Sequence, residues 1–146
     1  MKNTILSVFL ALLFIGSLSA QDAPVAKKHD NPQWKWVVYV DFHSGKANRA
    51  YEIIDNYFSK ATQKAGTSRP AMVLKMETGE ADMIIVWDIA GGIEELNWDL
   101  TPNNVKWQKA LVEIAGGQEK AKALRKEYAS LIRTSKRELA LADQGL

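Results

Sequence analysis

Tyr39, Asp41 and His43 follow one another at two-residue spacing in a stretch rich in β-branched and aromatic residues. In an extended strand, side chains two apart share a face. A carboxylate beside an imidazole can fix its tautomer and raise its pKa, which suits proton transfer. Asp41 and His43 are therefore the candidate catalytic pair. Asp88 ends a later strand and would join them if the two strands are neighbours. Tyr39, Lys75, Asp88 and Trp98 are the candidate ligand-binding residues: three from a mixed strand face, and one indole in a loop that could cover a cavity mouth. The plainer account is a polar rim at the end of a sheet, with His43 bonded locally near the start of a helix.

Other chemistries find less support. The two histidines, His29 and His43, have no metal-ligand spacing, and no metal or cofactor is expected. Gly45-Lys46 lacks the upstream glycine of a phosphate loop. Neither a nucleophile elbow nor a dinucleotide fingerprint occurs. Ser44 reads as a helix cap. Trp36, Trp87 and Trp107 fall on apolar stripes and read as core, and Met72, Met76 and Met83 as core filler.

Three strands position these residues. In the first, Trp34, Trp36, Val38, Val40 and Phe42 alternate with Lys35, Val37, Tyr39, Asp41 and His43. The second, Ala71 to Glu77, sets Met72, Leu74 and Met76 against Val73, Lys75 and Glu77. The third, Asp82 to Asp88, sets Met83, Ile85 and Trp87 against Ile84, Val86 and two aspartates. Thr78-Gly79-Glu80-Ala81 between them suits a two-residue type II′ turn. That turn, or a four-residue loop of the same parity, places Met76 opposite Met83, Leu74 opposite Ile85 and Met72 opposite Trp87. Met72, Leu74 and Met76 are then expected under a helical layer, and Val73, Lys75 and Glu77 on the reverse.

Between the first two strands, Ala47, Ala50, Tyr51, Ile54, Tyr57, Phe58, Ala61 and Ala65 recur at helical spacing, with Gly66 as the stop. After Gly91-Gly92, Ile93 to Trp98 reads as one helical turn. Thr101-Pro102 then opens a helix that Gly116-Gly117 closes. A further helix from Gln118 carries Ala121, Leu124, Tyr128, Leu131 and Ile132 on one face. Arg137 to Ala142 reads as a short fourth strand, with Leu139 and Leu141 together, although helical spacing continues through Ser135 and Leu139.

Residues 1–20 read as a signal peptide: Lys2, an apolar run from Ile5 to Ile15, and small residues up to Ala20. The run is short for a bilayer span, so no membrane attachment is expected after cleavage. The protein is expected to be exported to a periplasm or the medium. Residues 21–33 form a polar lead-in, and residues 34–146 one domain. The chain has 19 basic and 17 acidic side chains, a balance that makes no electrostatic case for nucleic acid. With no cysteine, stability must come from a packed core.

The order strand, helix, strand, strand, helix, weak strand resembles the ferredoxin-like unit of the dimeric α/β-barrel superfamily, from which the second helix after the third strand is a departure. The likeness lies in Trp36–Asp41 with His43-Ser44-Gly45-Lys46, the long helix, the Thr78-Gly79-Glu80 hairpin and the helices from Thr101. It implies an α+β, ferredoxin-like βαββα(α)β sandwich with helices on one face of an antiparallel sheet. It also implies a homodimer whose sheets pair face to face, often around a small molecule. Fold does not fix activity. The expectation is an exported small-molecule-binding homodimer. A cofactor-independent monooxygenase-like enzyme using His43 and Asp41 is one alternative. A non-catalytic surface interaction protein, anchored by Trp34 and Trp98, is another.

Overall fold

The β-branched and aromatic run around Trp36 forms β1, Gln33–Phe42, at an inner position of a four-stranded antiparallel sheet. Its companions are β2 (Met72–Lys75), β3 (Met83–Asp88) and β4 (Ile132–Ala142), in the order β2-β3-β1-β4. The computed structural model describes residues 24–142, so the expected signal peptide lies outside the described residues. Residues 24–32 carry neither helix nor strand.

Helix α1 joins β1 to β2 and comprises Ala47–Ile53, a wider π-helical segment Ile54–Phe58, and Ser59–Ala65. Gly66 ends it in the left-handed conformation at φ 61°, which glycine adopts without steric cost. Ser44 does not cap its start. The residue before the first turn is Lys46, no side chain caps that end, and the His43 carbonyl accepts the Lys46 amide at 2.9 Å instead. After β3 come a 3₁₀ segment, Gly92–Asn97, and helices α2 (Pro102–Ala115) and α3 (Gln118–Leu131). Thr101 caps α2 by accepting the Asn104 amide on its hydroxyl at 3.1 Å.

One face of the sheet is roofed by the helices. Val40, Phe42 and Met83 meet Ala50, Ile53 and Ala61 of α1, Ala110 and Leu111 of α2, and Ala121 and Leu124 of α3. Phe58 stands edge-on to both Trp107 and Tyr128, at centroid separations of 5.5 and 5.0 Å. Trp36 and Trp87 lie opposite each other on this face but are only partly buried, outside the buried cluster.

The hairpin departs from the sequence expectation. Met72 pairs with Val86, Val73 with Ile85, Leu74 with Ile84 and Lys75 with Met83, one residue out from the expected register. The Met76 amide bonds the Asp82 carbonyl at 2.9 Å, so the connection is a five-residue loop centred on Gly79 at φ 105°. Loops of two and four residues share a parity, and an odd loop inverts it. Met72, Leu74 and Met76 therefore face away from the helices, 52%, 42% and 38% exposed. Lys75 takes the helical side, its ammonium 4.2 Å from the centre of the Tyr51 ring.

The fourth strand is present and longer than expected. It begins at Ile132, directly after α3, and pairs with β1 along almost its whole length, with a bulge between Asp41 and Phe42. Leu139 lies opposite Trp36 and Leu141 opposite Trp34, so those leucines share a face as expected.

Candidate functional site

The face turned from the helices carries Met72 and Leu74 from β2, Ile84 and Val86 from β3, and Val37 and Tyr39 from β1. Beyond this apolar band, β4 supplies Thr134, Lys136 and Glu138, opposite Asp41, Tyr39 and Val37 respectively. Alternation along β4 puts these three polar residues on one face. At the Asp41 end, the 77–81 loop stands beside the sheet and makes a concavity of about 520 Å³. Its floor includes Tyr39, Asp41 and Ile84, with Met76 from just after β2, Glu80 from the loop and Lys136 from β4.

Asp41 is the most buried charged residue of this concavity, at 9% exposure. Its Oδ2 accepts from the Thr134 hydroxyl at 3.4 Å and lies 2.5 Å from the Arg133 guanidinium. Arg133 reaches it because the bulge inserts an extra residue between the partners of Asp41 and Phe42. Lys136 pairs with Glu138 at 2.5 Å, and that bond, reinforced by the Glu138 charge, raises its pKa from the ordinary lysine value.

The expected Asp41, His43 and Asp88 cluster does not assemble. Asp88 lies opposite Lys35 and forms an ion pair with it, at the far end of β1 from Asp41. Six residues of strand separate Lys35 from Asp41, roughly 20 Å. His43 lies beyond the end of β1, where its amide bonds the Leu131 carbonyl at 2.9 Å and its side chain is exposed. The Asp41 carboxylate is held by Arg133 and Thr134 and makes no bond to His43. Lys75 is on the opposite face of the sheet, and Trp98, 57% exposed, follows the 3₁₀ segment outside the concavity.

Of the candidate catalytic and ligand-binding residues read from sequence, Tyr39 and Asp41 alone line this concavity. The sequence reading missed Thr134, Lys136 and Glu138 because the expected fourth strand began too late to include the first two. The two-residue alternation Thr134-Lys136-Glu138 was the signal that could have found them. Met76 and Glu80 were missed through the loop length.

Among the described residues, no group of three or more His, Asp or Glu side chains is placed to hold a metal ion. No helix among them is long and apolar enough to cross a membrane.

An antiparallel sheet in this order, with helices on one face, defines a ferredoxin-like α+β protein. Solved structures similar to it include NIPSNAP family proteins. One from Agrobacterium tumefaciens is 14% identical, with 84% of this chain and 95% of that chain covered at a TM-score of 0.52. A second from the same organism, described as having unknown function, is 9% identical over 84% of this chain and 97% of the other, also at 0.52. An uncharacterized NIPSNAP-like domain protein from Burkholderia xenovorans is 13% identical, with 81% and 90% covered at 0.50. At such identities the likeness is one of fold. No protein-family profile matches the sequence. No curated protein matches it.

Proposed function

We propose that this protein is an exported small-molecule-binding homodimer, in which two open sheet faces pair and close the concavities over Tyr39 and Asp41. The carrying observation is the inverted parity of β2, which adds Met72, Leu74 and Met76 to an apolar band that the helices do not cover. An antiparallel sheet can leave one face in water, but such a face is normally polar. Contiguous exposed apolar surface of this kind marks a binding or association surface. Export rests on the basic, apolar and small-residue pattern of residues 1–20.

The monooxygenase-like alternative loses its support, because the acid–base pair on which it was built is not formed. Asp41 is engaged by Arg133, and His43 is exposed beyond the strand end. The NIPSNAP likeness supports the fold on which such pairing is built and leaves the activity unassigned.

Native mass spectrometry of the purified protein tests the reading. The expected result is a two-subunit species, reduced to one subunit by Leu74→Asp with the circular dichroism spectrum preserved. A wild-type protein that stays monomeric at the highest soluble concentration overturns it. Sequencing the amino terminus of protein recovered from the culture is expected to begin at Gln21, and an intact Met1 would remove the export claim.

A further inference from the structure

Asp41 is almost wholly buried, yet among the described residues no hydrogen bond is made to its Oδ1: both of its contacts, Thr134 and Arg133, go to Oδ2. No buried side-chain oxygen lacks a partner among the described residues, so Oδ1 keeps some exposure to solvent, and Asp41 lines the concavity. An ionised carboxylate accepts hydrogen bonds and donates none. A ligand that displaces water from it must bring a donor.

The surroundings narrow that donor. Glu80 and Glu138 also line the concavity, against the single ammonium of Lys136, which Glu138 already holds. Arg133 occupies Oδ2 from the rim, 59% exposed. The remaining potential is negative and repels a ligand anion. A bare metal ion is disfavoured too, because the carboxylates are spread around the concavity instead of converging. Tyr39, Met76 and Ile84 line the same space, so an apolar body has a place beside the charged end. A cation seated over an aromatic face gains further attraction.

We propose that the concavity takes a small organic amine: an ammonium group donating to Asp41 Oδ1, with an apolar or aromatic body against Tyr39, Met76 and Ile84. This rests on the small-molecule-binding reading above and specifies its ligand class.

The test is a pair of NMR titrations of the purified protein with 2-phenylethylamine and with its carboxylate counterpart 3-phenylpropionate, and a third with magnesium chloride. The amine is expected to shift the amides of Tyr39, Asp41, Ile84 and Lys136, with neither of the other probes doing so. Asp41→Asn is expected to weaken it by about tenfold or more, the scale of a charge-assisted hydrogen bond. Should Asp41→Asn fail to fold, Glu80→Gln, at an exposed position, and Glu138→Gln, at a half-buried one, serve instead, each expected to weaken the amine by about two- to fivefold. Equal or stronger shifts from 3-phenylpropionate or magnesium, or amine binding indifferent to all three substitutions, would overturn the assignment. A dimer that prefers the carboxylate removes the ligand class and keeps the parent reading. A monomer whose amides no probe moves removes both.

Discussion

The Asp82 carboxylate accepts the Phe42 amide proton at 2.7 Å, tying the start of β3 to the end of β1. The same residue donates its own amide to the Val40 carbonyl at 2.9 Å. Its carbonyl accepts from the Met76 amide at 2.9 Å and the Tyr51 hydroxyl at 3.3 Å. One residue thus closes the hairpin loop and joins it to β1 and α1. Asp82→Ala leaves the partly buried Phe42 amide without its acceptor, and about 1–3 kcal/mol of stability is expected to go. Asp82→Asn retains an accepting oxygen and is expected to lose less. Urea unfolding of the two variants checks the order, and an unchanged midpoint for Asp82→Ala would mean that water satisfies the amide equally well.

Arg49 of α1 grips Glu127 of α3 through two contacts, Nε to Oε1 at 2.7 Å and Nη2 to Oε2 at 3.2 Å. The Arg49 hydrogen bonds hold the Glu127 carboxyl below its ordinary value, and the same pair drives the Arg49 value upward. A carboxyl lowered in the folded state adds stability that is complete above the ordinary glutamate value, about 4.3, and is lost as the pH falls through the folded value. The stability difference between wild type and Glu127→Gln is therefore expected to be greatest near neutral pH and to shrink towards pH 3. Urea midpoints across that range measure it, and a difference independent of pH would show that the pair is not coupled to folding.

Much of this architecture could be read from residue pattern, and the face of β2 could not. The alternation of Trp36, Val38, Val40 and Phe42 identified the covered side of β1, because a central strand has one buried face to satisfy. Gly66, Thr101-Pro102 and Gly116 act locally and mark helix ends where expected. The β2 face depended on loop length, and Thr78-Gly79-Glu80-Ala81 is compatible with both parities. Val73 and Lys75 on one side, Met72 and Leu74 on the other, give too little contrast to decide, since a short edge strand is exposed on both faces. The site inherited that error and one more: Asp41 finds its charge partner in Arg133, 92 residues away, through a bulge that no local pattern announces.

The π-helical segment of α1 is held from outside. At its end the Phe58 carbonyl accepts from the Thr62 hydroxyl at 3.0 Å and from the Trp107 indole at 3.4 Å, while the same indole donates to Thr62 Oγ1 at 3.1 Å. Thr62→Val keeps the volume and removes the oxygen that receives the indole N–H. About 1 kcal/mol of destabilisation is expected, the worth of one such hydrogen bond. Trp107 fluorescence during urea unfolding reports both the change in environment and the change in stability. Wild-type stability in Thr62→Val would show that the contact to the Phe58 carbonyl suffices alone.

Lys75 gives the most direct check on the parity that supports the open-face reading. Its ammonium lies over the Tyr51 ring on the helical side, while Met76, one residue on, lines the concavity opposite. Ring current from Tyr51 should move the Lys75 side-chain methylene protons upfield, and nuclear Overhauser contacts should join them to the Tyr51 ring. The Met76 methyl should instead touch Ile84 or Tyr39. Lys75→Ala is expected to cost about 0.5–1 kcal/mol, as an exposed cation–π contact does, and to leave the subunit count unchanged. Contacts from the Met76 methyl to Met83 or Ile53 would restore the two-residue turn, return Met72 and Leu74 to the covered side, and remove the apolar band on which pairing of two sheets depends.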